Sequence, residues 1–331
     1  MPSTGYFFPK RLSGTALGLQ AGIGNLGMSI IQFLGPWAMG FGLLGISFIA
    51  PQTNATTGEP IYVHNAAAVL MPWAVVAAIL AWSLLKDVPV KANFRQQIDI
   101  FGNKNTWILT IAYLMAFGAF SGFSAQFGLL INNIFGRDSQ FAETFDPAAL
   151  PAGVSFAFLG PLIGAGVRAL WGPLCDRFGG AIWTFLGGCG MTVCLAWAAL
   201  YLNPSDPSEF WWFLAAMLGM FFFSGWANAG TFKQMPMILP PRQAGGVIGW
   251  TGAIAAFGPF IVGVMISGIG ATAFFWGCVV FFIIATALVW IYYARPGAPF
   301  PGLATARHLF APPRCPGRRG IKLHTPSRFV H

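Results

Sequence analysis

The stretch GTALGLQAGIGNLGMSIIQFLGPW, residues 14–37, contains no charged side chain. A helix needs about 20 predominantly apolar residues to cross the hydrocarbon core of a bilayer. The stretch is longer than that, so it predicts a transmembrane helix.

Residues 22–27 of this stretch, GIGNLG, also match the G-x-G-x-x-G spacing of a dinucleotide-binding loop. Such a loop follows a strand, opens a helix and has an acidic residue about 20 positions later for the ribose. No strand-like segment precedes GIGNLG, and the next acid is Glu59. The sequence therefore argues against a nucleotide site and predicts that Gly22 and Gly24 are packing glycines.

The composition of the 331-residue chain places it in the membrane class. It is 56% hydrophobic and only 8% charged, with a mean hydropathy of +0.66, whereas soluble domains carry about 25% charged residues. All nine acids and all four histidines fall outside the apolar runs. The net charge of +9 indicates membrane orientation rather than nucleic-acid binding.

About eight runs are long enough to span a bilayer, which predicts an all-α integral membrane fold. They lie near residues 13–36, 66–86, 106–133, 153–174, 180–202, 209–234, 245–268 and 271–294. We predict two helix groups, 1–86 and 106–294, joined by a polar linker, 87–105. Residues 37–50 extend the first helix past Pro36, and the Pro-, Gly- and Arg-rich tail, 295–331, is expected to be disordered.

Lysine and arginine are distributed unequally between the two sides of the predicted spans. They precede the first span, fill the linker and follow the fourth, sixth and eighth spans, while the opposite loops carry only Arg137 among basic residues. The positive-inside rule then places both termini in the cytoplasm of a multi-pass protein of the plasma (inner) membrane.

Glycines recur every four residues on one face of the first span, at Gly14, Gly18 and Gly22. Asn25, Ser29 and Gln32 continue this face, while the other faces are Leu, Ile and Phe. Two interpretations stay open: close packing of two helix backbones, or a polar pathway, because amides in lipid need a partner.

The seventh span repeats this design with Gly245, Gly249, Gly252, Ala256 and Pro259. Two glycine-striped helices in corresponding parts of one chain are typical of transporters built from internal repeats.

Arg168 is the one charge that we place away from the ends of a span, and intramembrane charges are expensive and usually functional. Its planar paired donors suit a planar oxyanion; the alternative is an arginine that snorkels to the membrane surface. Tyr113 and Phe117 share one helix face and could sandwich such an anion, unless they are only core aromatics.

No nucleophile–base pair or metal-ligand spacing is visible, the five cysteines included, so we expect neither an enzyme nor a cofactor.

Several motifs together resemble a known family. Residues 7–37 are similar to the nitrate signature of the NarK/NasA nitrate/nitrite porters in the major facilitator superfamily, and GGVIGWTGAIAAFGPFIVG, residues 245–263, resembles the second signature. GPLCDRFGG, residues 172–180, resembles the cytoplasmic loop motif of the superfamily, and NAGTFKQMPMILP, residues 228–240, is similar to the stretch before the eleventh helix of the family. The loop motif residues are Gly172, Asp176, Arg177 and Gly179.

The resemblance implies a partial major facilitator fold, helices five to twelve, with an N-terminal truncation that removes the first four. It implies nitrate and nitrite as substrates and Arg168 as a nitrate ligand, with Tyr113, Phe117 and Asn25 beside it. The second arginine of the family lies on its second helix, which has no counterpart here.

The first hypothesis from these patterns is nitrate uptake or nitrate/nitrite exchange by alternating access. Apart from Glu209, the first residue of the sixth, no Asp, Glu or His lies in a predicted span, which favours exchange or a proton path in the absent helices. The alternatives are a facilitator for another small anion and a non-transporting fragment. The expected partners are the two anions and the lipid bilayer, without nucleotide or nucleic acid.

Overall fold

Helices dominate the computed structural model, which describes residues 8–40, 51–53, 58, 60–85, 98–146 and 149–298. Eight helical segments in these ranges are long and apolar enough to cross a membrane: Ser13–Met39, Val63–Leu84, Lys104–Ile134, Gly153–Phe178, Gly180–Ala199, Pro207–Ile238, Arg242–Ile269 and Ala271–Ala294. The prediction of about eight spans is confirmed, and the ends agree within about one helical turn.

Several spans consist of more than one helix. In chain order the helices are α1 (Ser13–Met39), α2 (Val63–Ala68), α3 (Met71–Leu84), α4 (Lys104–Tyr113), α5 (Ala119–Ile134), α6 (Gly153–Phe156), α7 (Leu159–Phe178), α8 (Gly180–Ala199), α9 (Phe210–Ile238), α10 (Pro241–Ala256), α11 (Gly258–Ile269) and α12 (Ala271–Val289). A π-helical turn, Leu114–Gly118, joins α4 to α5, and another, Trp290–Ala294, follows α12. Short 3-10 turns occupy Lys10–Leu12, Asp99–Gly102, Gln140–Glu143 and Pro207–Glu209.

The loop between α1 and α2 contains one small departure from an all-α fold. Strand β1 (Gln52–Thr53) pairs antiparallel with β2 (Pro60–Ile61). Two residues per strand cannot form a stable sheet by themselves, so the hairpin only closes the loop.

Parts of three predicted segments lie outside the described residues. These are residues 41–50 of the extended first helix, 86–97 of the linker region and 299–331 of the tail. Within the described part, α1 includes Pro36 and ends at Met39.

Small residues allow the helix backbones to approach closely. On α1, the face that contains Gly14, Gly18 and Gly22 packs against α7. A Cβ added at Gly22 would sit 2.7 Å from the Ala169 Cβ and 2.9 Å from the Ala165 carbonyl oxygen. Such contacts replace the hydrophobic driving force that helices lack in lipid.

Some other glycines of the two signatures do not pack in this way. A Cβ added at Gly24, Gly249 or Gly252 would meet no atom of the described residues within 4 Å. The expectation that Gly24 is a packing glycine is therefore wrong, because it lies on a different face of α1 from Gly22. On the second glycine-striped helix, Gly249 and Gly252 likewise pack against none of the described residues.

The charge distribution also differs from the prediction. α7 continues to Phe178, so it includes Asp176, and both Asp176 and Lys233 are buried. The span Val63–Leu84 begins before the predicted residue 66 and includes His64. The expectation that, apart from Glu209, no Asp, Glu or His lies in a span is therefore wrong, since the observed spans include His64 and Asp176 as well as Glu209. Each of these helices extends beyond the apolar run that predicted it, so polar residues near the ends of the runs become helical.

Candidate functional site

Arg168 lies inside the helix bundle, near the middle of α7. The residue is 1% exposed, and its three guanidinium nitrogens have no hydrogen-bond partner among the described residues. Snorkelling needs an exposed head group, so this burial contradicts that alternative. A desolvated charge is costly unless it is paired, and the guanidinium therefore offers strong donors to a small oxyanion.

Aromatic rings surround the guanidinium. Its central carbon lies 4.7 Å from the ring centre of Phe232 and 5.8 Å from that of Phe117, within the range of cation–π attraction. Tyr113 stacks on Phe117 with ring centres 5.3 Å apart and planes at 4°, and it meets Phe232 edge-on at 4.9 Å. Its phenol also lies close to the guanidinium, although the two do not meet the geometry of a hydrogen bond. We call these four residues the arginine cluster.

The π-turn sets the position of the stacked pair. Tyr113 is the last residue of α4, and Phe117 lies within Leu114–Gly118. Single π-turns inside α-helices are rare overall, but many of those that occur lie at functional sites. The structure thus brings together three of the residues predicted from sequence: Arg168, Tyr113 and Phe117.

Phe232 is the member of the arginine cluster that the sequence interpretation missed. It lies in the stretch 228–240 that carries part of the family resemblance, but α9 contains several phenylalanines. In such a helix an apolar ring that faces an arginine has the same local pattern as one that faces the core. Only the rotation of α9 against α7 distinguishes the two.

Asn25 lies on α1, on the turn after Gly22, and is half-buried. Its amide nitrogen is buried without a hydrogen-bond partner among the described residues, and no hydrogen bond there joins it to the arginine cluster. Further along α1, Ser29 Oγ donates to the Phe158 carbonyl at 2.9 Å, and Gln32 Nε2 donates to the Ser124 carbonyl at 2.8 Å. These polar residues therefore tie α1 to the segments around α5 and α7.

A second polar centre joins α1, α7 and α9 about two turns from Arg168 along α7. The Asp176 carboxylate accepts from the Gly14 amide at 2.8 Å, the Thr15 amide at 2.7 Å and Thr15 Oγ1 at 2.6 Å. Lys233 Nζ donates to it at 2.6 Å and to the Arg11 carbonyl at 3.2 Å. We call this set of contacts the Asp176 latch.

The first turn of α1 explains the latch. Amides at a helix N-terminus have no partner in their own helix, and the helix dipole makes that end attractive to an anion. A carboxylate from α7 satisfies both needs, and the buried Lys233 ammonium balances its charge. The sequence interpretation treated Asp176 as part of a cytoplasmic loop and did not pair it with Lys233.

The other residues of the loop motif have simpler roles. A Cβ at Gly172 would meet the Gly14 carbonyl at 2.7 Å, so this glycine allows α1 and α7 to touch. The exposed Arg177 stacks its guanidinium 5.2 Å from the Phe178 ring. Gly179 ends α7 with φ of +89°, a backbone conformation that side-chain-bearing residues rarely adopt.

Comparisons with known proteins identify close relatives. No protein-family model matches the chain. The chain is 50% identical over 309 residues to a probable nitrate/nitrite antiporter, NarK2, of Thermus thermophilus. The aligned region covers 91% of this chain and 68% of the relative. It is 29% identical over 328 residues to the nitrate/nitrite transporters NarU of Escherichia coli K12 and of Salmonella typhimurium LT2. In both cases the aligned region covers 89% of this chain and 67% of the relative.

Among solved structures, a bacterial homologue of the iron transporter ferroportin in an outward-facing state is similar. Its TM-score is 0.45 at 14% identity, over 68% of this chain and 54% of that one.

Proposed function

The chain belongs to the NarK-type nitrate/nitrite porters of the major facilitator superfamily, and on this premise we propose that it carries nitrate and nitrite across the membrane by alternating access. Arg168 is the proposed anion anchor. The observation that carries the proposal is the buried guanidinium, whose donors have no partner among the described residues, between Phe117 and Phe232.

The chemistry of the arginine cluster suits these anions. Nitrate and nitrite are planar and carry one negative charge, so two parallel N–H donors of a guanidinium can bind two of their oxygens. The rings keep water away, which strengthens the attraction in a low dielectric. The stacked face of Tyr113 and Phe117 favours a flat ligand, and the phenol hydroxyl adds a donor.

The Asp176 latch fits one end of such a pathway. In alternating access, two helix groups rock about a central site and open one side at a time; here the proposed groups are 1–86 and 106–294. For an anion to leave beside the N-terminus of α1, α1 must separate from α7 and α9. That movement breaks the bonds of Gly14 and Thr15 to Asp176.

The proposed role is transport without chemical conversion of the anion, in the plasma (inner) membrane. The proposed partners are the two anions and the lipid bilayer, with no cofactor, nucleotide or nucleic acid. Exchange of one anion for the other is the favoured mode.

An exchange assay tests the function. Proteoliposomes that contain the chain and are loaded with nitrite should take up labelled nitrate only while nitrite leaves, and external formate or chloride should not replace nitrate. Uptake without internal anion would favour a facilitated or proton-coupled mode, exchange of another anion would favour a different substrate, and no flux above empty liposomes would overturn the proposal for this chain.

The proposed orientation places both termini, residues 87–105 and the Asp176 end of α7 in the cytoplasm, from the distribution of lysine and arginine. In a background without the native cysteines, a membrane-impermeant thiol reagent applied outside intact cells should label Asp138→Cys and not Arg177→Cys. Both positions are exposed, so permeabilised cells should label both. The reverse pattern in intact cells would refute this topology.

A further inference from the structure

Asn228 is a buried polar residue in α9 that has no role in the transport cycle proposed above. Only 1% of the residue is exposed. Its Nδ2 donates to the Ala116 carbonyl at 3.2 Å, and its Oδ1 has no hydrogen-bond partner among the described residues. A buried amide with an unpaired oxygen is costly, so a role in stability alone explains it poorly.

The acceptor of this bond lies in the π-turn Leu114–Gly118, between Tyr113 and Phe117. A π-turn inserts one extra residue into the helical ladder, so the regular i→i+4 pattern of hydrogen bonds is interrupted there. A side chain from a neighbouring helix that binds a carbonyl of this turn therefore restrains the segment that presents both rings.

Asn228 and Phe232 are four residues apart on α9, so they lie on the same face of the helix. Phe232 packs 4.7 Å from the guanidinium carbon of Arg168 and 4.9 Å from the Tyr113 ring centre. One face of α9 thus provides both a wall of the arginine cluster and a hydrogen bond to the turn that carries the opposite wall.

We propose that Asn228 is a positioning residue of the anion site, which holds the π-turn so that Tyr113 and Phe117 stay stacked beside Arg168. The inference rests on the proposed function, because it takes nitrate or nitrite as the ligand that the rings face. Asn228 acts through the Ala116 carbonyl and not through contact with the anion.

The side chain at this position must be a hydrogen-bond donor that can reach the Ala116 carbonyl. Leucine has a similar size but cannot donate, so the Ala116 carbonyl would lose this bond. Glutamine keeps the amide on a longer stem and can restore the bond by a change of rotamer. Ser224→Ala is a matched control, since Ser224 lies one turn earlier on α9 and is fully buried, and its one hydrogen bond among the described residues stays within its own helix, to the Phe221 carbonyl at 2.7 Å.

Nitrate binding to the purified chain, followed by quenching of intrinsic tryptophan fluorescence, provides the test. We expect Asn228→Leu to weaken nitrate binding by about 10-fold, the effect of one buried hydrogen bond. Asn228→Gln should recover most of the affinity, and Ser224→Ala should bind as wild type. Equal affinity of Asn228→Leu and wild type would overturn the proposal, as would equal losses in the Leu and Gln variants.

Hydrogen–deuterium exchange of residues 114–118 separates this inference from the proposed function. We call the bond from Asn228 to the Ala116 carbonyl the clamp. Its loss should raise exchange of these amides in Asn228→Leu but not in Ser224→Ala, because local opening becomes easier. If wild type binds no nitrate but exchange rises as expected, the clamp stands and the anion assigned to the site is wrong. If wild type binds nitrate and exchange is unchanged, the clamp is wrong and the transport proposal is unaffected.

Discussion

Arg168→Lys is expected to weaken nitrate binding at least about 10-fold, the loss of one charge-assisted hydrogen bond. Lysine keeps the positive charge but not the two planar, parallel donors that match two oxygens of the anion. Its compact ammonium also stacks less well on the Phe117 and Phe232 rings. Arg168→Met removes the charge at similar length and should weaken binding at least about 100-fold, because two such bonds are lost.

Arg177→Lys is the matched control for this prediction. Arg177 lies on the same helix, but it is exposed, and its guanidinium lies beside the Phe178 ring. The same substitution there should leave nitrate affinity unchanged. Binding by titration of the purified proteins, with nitrite as a second ligand, measures all three variants. Wild-type affinity in Arg168→Lys would show that the paired donors are not the anchor.

Gly22→Leu is expected to prevent stable packing of α1 on α7. A Cβ at this position already lies 2.8 Å from the Ala169 amide nitrogen and 2.9 Å from the Ala165 carbonyl oxygen, and backbone atoms cannot yield as side chains do. Overpacking typically costs about 1–3 kcal/mol, and a whole leucine side chain here belongs at the upper end. The detergent-solubilised variant should melt at lower temperature and accumulate less in membranes than wild type.

Gly24→Leu provides the control on the same helix. No atom of the described residues lies within 4 Å of a Cβ at Gly24, so this variant should melt and accumulate as wild type. Equal damage in both variants would mean that any bulky residue disturbs α1, against the packing argument. Calorimetry should also detect no binding of NAD or FAD to wild type; stoichiometric binding would restore the nucleotide interpretation of GIGNLG.

The amino-acid sequence by itself determined the membrane architecture. A transmembrane helix depends on the hydropathy of about 20 consecutive residues, which is a local property. For this reason the eight spans, the Gly14–Gly18–Gly22 face and the intramembrane position of Arg168 all follow from the order of residues alone. The family resemblance and the shared helix face of Tyr113 and Phe117 belong to the same kind of information, because four-residue spacing fixes a shared helix face.

The tertiary structure decided which of these faces meet. Phe232 joins Arg168 only because α9 is rotated toward α7, and Gly22 packs while Gly24 does not because α1 turns one face to α7. The ion pair of Asp176 and Lys233, 57 positions apart, and the clamp of Asn228 on Ala116, 112 positions apart, are likewise invisible in the sequence. Hydropathy specifies that a helix lies in the bilayer, but its rotation and tilt are set by packing against neighbouring helices.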